Sequence, residues 1–208
     1  MSPRSASVNE AMRQRSRERL LQATVELVEE RGYEATTLGD ITQRAGSARG
    51  LVSYYFSGKR ALLQSAVHRL MHRELAAALE SEPPAKDGDE LLARAIDAIL
   101  TLTRTHTTLM RTHMASILQE EGFIQCPEQQ RLAFLLRDTV ERWGSDNPEE
   151  EYKLLRALLM GSTVALLLPG APMPLALLRA ELFRRYGLDW SAGLPPEDTP
   201  GLEPAARA

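Results

Sequence analysis

The feature that most constrains the fold is the spacing of the apolar residues, which recur every three or four positions along most of the chain. This spacing places apolar side chains on one face of a helix, whereas a half-buried strand needs alternation at every second residue. Only 5% of the residues are aromatic, while Leu, Ala, Arg and Glu are abundant. Such a composition favours helices over strands. We therefore predict an all-α protein.

Glycine, proline and capping residues divide the chain into nine predicted helices. The fourth is predicted to follow a Ser57 cap and to run to Leu79, and the eighth to start within 146–151 and to run to Leu168. A threonine-rich bend is expected at 101–108. The other predicted helices are, approximately, Asn9–Arg31, Leu38–Ala45, Ala48–Tyr54, Asp89–Thr105, Thr108–Gln119, Glu128–Trp143 and Pro174–Tyr186.

Cysteine usage and hydropathy limit the compartment. Cys126 is the single cysteine, so no internal disulfide can form and nothing indicates secretion. The N-terminus lacks the apolar core of a signal peptide. The longest apolar run, 154–168, contains Arg156 and Gly161 and is shorter than the roughly 20 residues that span a bilayer. We therefore expect a soluble, cytoplasmic protein with no membrane partner.

Charge is unevenly distributed along the chain. Residues 1–75 carry twelve Lys and Arg against eight Asp and Glu, although the whole chain has a net charge of −3. A basic N-terminal part on an acidic body suits a module that approaches phosphates. The segment with Arg4, Arg13, Arg15 and Arg17 either reaches the minor groove or a phosphate of DNA, or is a solvated terminus.

The segment from Thr37 to Lys59 has the pattern of a helix-turn-helix, with a tight turn at Gly46. Asp40 stands three residues after Thr37, which predicts a capping box. In such motifs the second helix enters the major groove of DNA with its early residues at the base edges. The predicted DNA contacts are Thr37, Ser47, Ala48, Arg49, Gly50, Ser53, Tyr54, Tyr55 and Lys59.

Each predicted contact has a chemical reason. Small residues at the start of the second helix permit close approach, and the forked donor of Arg49 suits O6 and N7 of guanine. Arg49 could equally clamp a phosphate. Tyr54 and Lys59 have the reach for phosphates, and Lys59 stands at a helix N-terminus. Tyr33 is expected to pack rather than to contact DNA.

The same segment resembles the signature of the tetracycline-repressor (TetR) family. That signature has a Gly-aromatic pair after helix one, Thr-Thr before helix two, Ala-Gly at the turn, and an aromatic close to helix three followed by Lys and a Leu pair. Two positions depart from it, because Ala48 replaces the usual Ser or Thr cap and Ser53 replaces the usual phosphate-binding Tyr. The matching residues are Gly32, Tyr33, Thr36, Thr37, Ile41, Ala45, Gly46, Gly50, Tyr55, Phe56, Lys59, Leu62 and Leu63.

The resemblance implies two further sites in the C-terminal helices. Helices five to seven would form an effector pocket, and helices eight and nine would pair with a second subunit. The alternative for each pocket residue is ordinary core packing. The predicted pocket residues are Ile99, Thr103, His106, Met110, His113, Met114, Leu136 and Trp143, and the predicted dimer contacts are Leu158, Leu159, Leu166, Leu178 and Leu182.

These patterns predict a dimeric regulator that leaves a palindromic operator when it binds a small-molecule effector. The alternative is an interaction protein or an effector-independent regulator on the same fold. No phosphate loop, metal cluster or nucleophile-base pattern predicts an enzyme, a cofactor or a metal site, although Cys126 could be a redox sensor. The predicted domains are a DNA-binding domain at 1–80, an effector and dimerisation domain at 81–187, and a disordered tail at 188–208.

Overall fold

In a computed structural model, which describes residues 3–119 and 125–189, the chain forms nine α-helices and no strand within those ranges. The predicted all-α class is confirmed. No described helix is both long and apolar enough to cross a membrane. The helices are α1 (Pro3–Arg31), α2 (Leu38–Arg44), α3 (Arg49–Tyr55), α4 (Lys59–Leu79), α5 (Gly88–Thr105), α6 (Thr107–Ile117), α7 (Pro127–Trp143), α8 (Pro148–Leu167) and α9 (Leu175–Tyr186).

The first core is formed mainly by the four helices α1, α2, α3 and α4. Ile41, Ala45 and Phe56 are buried there, as their positions in the motif predict. The same core also contains Met110 and Met114 of α6. The four N-terminal helices are therefore packed against part of the C-terminal region rather than separated from it.

The second core lies between α5, α7, α8 and α9. Gly88 lets α5 begin directly against the end of α7, because a Cβ at this position would overlap the carbonyl of Arg142. The predicted dimer contacts Leu159 and Leu182 lie inside this core, each only 4% exposed. Those two residues are corrected from interface to core, since they have no surface to offer a second subunit.

The predicted bend at 101–108 is confirmed. α5 ends at Thr105 and α6 begins at Thr107, with His106 non-helical between them. The Thr103 hydroxyl is hydrogen-bonded within the core, to the carbonyl of Ile99 and at 3.2 Å to Thr163 of α8.

Most predicted helix ends lie within two residues of the observed ones, and three differences have a physical reason. α1 begins at Pro3 rather than Asn9, because proline is tolerated in a first helical turn and no breaker follows it. Gly58, not Ser57, precedes α4, and no side chain caps that helix. Leu188, expected in a disordered tail, is buried in the second core after the left-handed turn at Gly187. Residues 190–208 of the predicted tail lie outside the described residues.

Candidate nucleic-acid interface and central cavity

The N-terminus of α2 is held by the predicted capping box, which the structure confirms. The amide of Asp40 donates to Oγ1 of Thr37 at 3.1 Å, and the amide of Thr37 donates to the Asp40 carboxylate at 2.9 Å. Hydrogen bonds from Thr37 and the nearby charge of Arg31 lower the pKa of Asp40. The Thr37 side chain is thus part of the scaffold, although it remains exposed.

The turn between α2 and α3 depends on Gly46, which has a φ of +57°. Residues with a Cβ rarely adopt this backbone conformation, so glycine is the favoured residue here. Ala48 is the N-cap of α3 and makes no capping hydrogen bond. Ser47 does not replace it, because its buried Oγ has no hydrogen-bond partner among the described residues.

One face of α3 is open to solvent. Val52 is buried against the first core, while Arg49, Gly50, Ser53 and Tyr54 are exposed. Tyr54 is the most accessible large hydrophobic side chain of the motif, with 66% of its surface exposed. The face therefore presents one cation, one phenol, one hydroxyl and a small residue that permits close approach. That these residues contact DNA stays a prediction.

Two other predicted contacts, and one arginine of the basic segment, have partners within the chain. The Tyr55 hydroxyl donates to the carbonyl of Arg13 at 3.2 Å. The Lys59 ammonium lies 4.0 Å from the centre of the Tyr33 ring. Arg17, placed by its sequence position in the basic segment, is instead partly buried by an ion pair with Glu128 of α7. Arg17 is therefore corrected from a candidate DNA contact to a structural residue, whereas Arg13 and Arg15 are exposed.

A cavity of about 90 Å³, which we name the central cavity, lies between α4, α5, α6, α7 and α8. Its walls are mainly apolar and contain four methionines, whose unbranched side chains adapt to irregular shapes. The lining residues are His68, Met71, Ile99, Met110, His113, Met114, Ile117, Gln129, Leu132, Ala133, Leu136, Tyr152, Arg156, Leu159, Met160 and Thr163.

Two neutral histidines stand in the cavity wall. Their ring centres are 5.0 Å apart, and Nδ1 of His68 lies 3.3 Å from the Cys126 sulfur. Burial, followed by the effects of His113 and Arg156, lowers the pKa of His68 to about 3. Burial alone lowers the pKa of His113 to about 4. Both imidazoles are therefore uncharged at neutral pH.

Cys126 has the environment of a structural thiol. It is 7% exposed, and its sulfur accepts from the amide of Gln129 at the start of α7. Burial raises the pKa of this thiol, so the reactive thiolate is disfavoured. Nothing in this geometry supports a redox sensor. No group of three or more metal-ligating side chains occurs within the described ranges.

Residues 20–66 match the family model described as bacterial regulatory proteins, tetR family. This stretch contains the capping box, the Gly46 turn and the exposed face of α3. Residues 20–66 belong to the tetR family.

Curated relatives agree with the tetR-family match. The HTH-type transcriptional regulator BetI of Burkholderia thailandensis is 31% identical over 105 residues, which make up 50% of this chain and 54% of the relative. BetI 1 of Chromohalobacter salexigens is 32% identical over 101 residues, or 48% and 50% of the two chains. The chain thus spans about half the length of the curated relatives it matches.

Solved structures extend the similarity to the C-terminal helices at the level of the fold. A TetR transcriptional regulator from Rhodococcus sp. RHA1 has a TM-score of 0.65 at 19% identity, covering 84% of this chain and 95% of that one. FadR from Bacillus subtilis, solved in complex with stearoyl-CoA, has a TM-score of 0.57 at 17% identity, covering 81% and 96%. The similarity of fold to these two regulators therefore covers both cores.

The structure brings together five of the eight residues predicted for the effector pocket. The other three are corrected. Thr103 is 0% exposed and bonded within the core. His106 lies outside the cavity, with Nδ1 2.5 Å from the Glu29 carboxylate of α1. Trp143 packs edge-on against Tyr186 of α9. The five that line the cavity are Ile99, Met110, His113, Met114 and Leu136.

Sequence reasoning missed the polar side chains that α4 and α8 contribute to the cavity. His68 lies in an apolar stretch of α4, and Arg156 interrupts the apolar run of α8. A polar residue within an otherwise apolar helix face was the available signal. That signal lies in helices four and eight, outside the three helices to which the resemblance assigns the pocket.

Proposed function

We propose that the chain is a homodimeric transcriptional regulator that reads a palindromic operator with α3. The observation that carries this proposal is the exposed face of α3 on a tetR-family scaffold. In helix-turn-helix dimers the two recognition helices enter major grooves about one DNA turn apart, roughly 34–36 Å. We take residues 1–80 as the DNA-binding domain and residues 81–187 as the effector and dimerisation domain.

Dimerisation is supported by an apolar strip along α8 that the chain leaves uncovered. Its members follow one another at intervals of three and four, so they share one helix face. Leu154 is 42% exposed, Val164 40% and Leu168 48%, and Leu177 of α9 adds a further exposed leucine at 60%. A second copy of the chain would remove this surface from water. The α8 strip consists of Leu154, Ala157, Gly161 and Val164 of α8 and of Leu168, the C-cap residue that follows the helix.

Effector control is supported by the position of the central cavity. Its volume of about 90 Å³ is below the roughly 300–1,000 Å³ typical of small-molecule pockets, so a bound effector would displace α6 or α7. Both α6 and α7 make polar contacts with the N-terminal helices. Arg60 of α4 donates to the carbonyl of Ser116 in α6 at 2.7 Å, and Glu128 of α7 binds Arg17. An acyl-CoA-bound neighbour with this fold is a precedent for effector binding.

Arg49→Ala should weaken operator binding by about 5- to 150-fold, because a guanidinium that pairs with guanine contributes roughly 1–3 kcal/mol of discrimination. The measurement is fluorescence anisotropy with an operator obtained by selection from random DNA, and with single-base variants of that operator. Preference at one base of each half-site should relax. Arg73→Ala removes a cation that is bound to Glu74 on α4 and is the matched control. Equal effects of the two substitutions would contradict the assignment of Arg49.

Tyr54→Phe should weaken binding by about two- to tenfold for every sequence alike, because a phosphate hydrogen bond positions the protein without reading bases. Anisotropy with operator and unrelated DNA at equal salt measures this. A loss confined to the operator would contradict a phosphate contact. Tyr55→Phe is the control variant, because the Tyr55 hydroxyl is already hydrogen-bonded to the carbonyl of Arg13.

A further inference from the structure

The central cavity has few groups that could hold a charged ligand. No carboxylate and no lysine occur among the described residues that line it. His68 and His113 are neutral at neutral pH, because burial lowers the pKa of both imidazoles. Arg156, the arginine of this lining, already has a partner within the protein. A charged ligand would therefore lose its hydration without gaining an unpaired counter-charge, which is strongly unfavourable.

His113 contributes an unpaired polar atom to the cavity wall. The residue is 4% exposed, and its Nδ1 is the one buried side-chain nitrogen or oxygen of the described lining that has no hydrogen-bond partner. Neighbouring polar groups are occupied, since Nδ1 of His68 lies 3.3 Å from the Cys126 sulfur and the Thr163 hydroxyl lies 3.2 Å from that of Thr103. Buried polar atoms are nearly always paired, so this exception indicates a missing partner such as a ligand.

The chemistry of a neutral imidazole narrows the ligand class further. Nδ1 is an N–H donor in one tautomer and an acceptor in the other. A hydroxyl group both donates and accepts, so it suits either tautomer, whereas a carbonyl or an ether oxygen suits only one. The remaining walls, including Met71, Met110, Met114 and Met160, would surround an apolar body, and their flexible side chains adapt to its shape.

The position of His113 connects the cavity to the DNA-binding motif. The hydroxyl of Ser116, one helical turn later in α6, donates to the carbonyl of His113 at 2.9 Å. The carbonyl of Ser116 in turn accepts from Arg60, the second residue of α4, at 2.7 Å. A ligand that binds His113 would therefore act on the part of α6 that contacts the start of α4, directly after α3.

We propose that the central cavity binds a compact, uncharged apolar molecule with a single hydroxyl group, which is hydrogen-bonded to Nδ1 of His113 while the methionines enclose the rest. This inference rests on the proposed function, because it assigns a chemical class to the effector. It does not depend on the identity of the operator.

The test uses probes of nearly equal size that differ in charge and in the hydroxyl group: benzyl alcohol, ethylbenzene, benzylammonium and benzoate, with phenol and toluene as a smaller pair. Titration calorimetry on the full chain at neutral pH should show one hydroxyl probe binding about two- to tenfold more tightly than its hydrocarbon. Each ion should bind at least about tenfold more weakly than benzyl alcohol.

Three results of this titration would overturn the proposal. The first is failure of both hydroxyl probes to bind. The second is a hydrocarbon that binds at least as tightly as its hydroxyl counterpart in both pairs. The third is an ion that binds as tightly as benzyl alcohol.

A variant of His113 locates the hydroxyl contact. His113→Phe keeps a ring and removes the nitrogen, so the hydroxyl would be buried without a partner. The ratio of benzyl alcohol affinity to ethylbenzene affinity should fall by about fivefold or more. The matched control is His72→Phe, because His72 is a half-buried histidine of α4 that does not belong to the cavity lining. Equal ratios in the two variants would contradict the site.

Nitrogen-15 NMR of the imidazole rings tests the same contact in the unaltered chain, so it does not depend on the folding of a variant. Benzyl alcohol should shift the Nδ1 resonance of His113, because a hydrogen bond forms at that nitrogen. Ethylbenzene should shift it much less. Shifts of equal size with both probes would contradict a hydrogen bond to His113.

Operator binding, measured separately on the same variants, distinguishes this inference from the proposed function. A chain that binds its operator and none of the probes refutes the ligand class and leaves the regulator intact. A chain that binds the hydroxyl probes at His113 and no DNA sequence keeps the ligand class and refutes the regulator.

Discussion

Replacing Arg17 with alanine should lower the free energy of unfolding by about 3–5 kcal/mol, because it leaves a buried carboxylate without its partner. Glu128 is 2% exposed, and both of its oxygens accept from the Arg17 guanidinium, which also lies 5.1 Å from the centre of the Phe56 ring. Urea denaturation followed by circular dichroism measures the change.

Arg13→Ala is the matched control for Arg17→Ala, since Arg13 is an exposed cation of the same helix with Glu10 3.7 Å away. Exposed ion pairs contribute about 0–1 kcal/mol, so this variant should resemble the wild type. A loss of less than about 1 kcal/mol for Arg17→Ala, which is the range of an exposed pair, would contradict a buried connection between α1 and α7.

The cost of losing Arg17 should depend on pH. Burial opposes ionisation of Glu128, but the hydrogen bonds and charge of Arg17, together with hydrogen bonds from the Glu128 amide and from Cys126, outweigh it and lower the pKa of that carboxyl. Because the pKa of Glu128 is lower in the folded state than in the unfolded state, its ionised form stabilises the protein at pH values above the unfolded-state pKa. That contribution is lost as the pH falls through the folded-state pKa. The difference between wild type and Arg17→Ala should therefore shrink below about pH 4.5. A constant difference between pH 7 and about pH 3 would contradict this origin.

Val164→Glu should convert the proposed dimer to monomers and weaken operator binding by about 100-fold or more. The substitution places a charge in the middle of the α8 strip, where a second copy would have to desolvate it. A monomer also loses the second half-site, and joining two binding modules contributes roughly 10²- to 10⁴-fold. Sedimentation velocity gives the mass, and anisotropy on the operator gives the affinity.

Gln130→Glu adds the same charge at an exposed position of α7, outside the strip, and should remain dimeric. If Val164→Glu sediments as a dimer with unchanged DNA affinity, the α8 strip is not the interface.

The local parts of the fold were predictable because the groups that decide them are neighbours in sequence. The Thr37–Asp40 capping box, the Gly46 turn and the break near His106 each depend on residues within about four positions. The start of α4 was mispredicted, since Ser57 and Gly58 both suit a helix start and only the path of the chain distinguishes them.

Contacts between residues that are far apart in the sequence could not be predicted from the spacing of the apolar residues. Arg17 and Glu128 are 111 positions apart, so nothing near Arg17 marks it as buried. Helical periodicity identifies an apolar face but not what covers it. Leu159 and Leu182 therefore have the same sequence pattern as interface residues, although they pack in the core of a single protomer. His106 precedes His113 by seven positions, the spacing of one helix face, but it stands just before α6, where it binds Glu29 of α1.

The most direct test of the central claim is selection of bound sequences from random DNA by the full chain at low salt, followed by footprinting of the winning sequence. We predict a palindrome with two protected half-sites about 10 base pairs apart, or a multiple of one turn, and a preference at one base of each half-site that relaxes with Arg49→Ala. Recovery of no consensus sequence, or of one that Arg49→Ala enriches equally, would contradict DNA reading by α3.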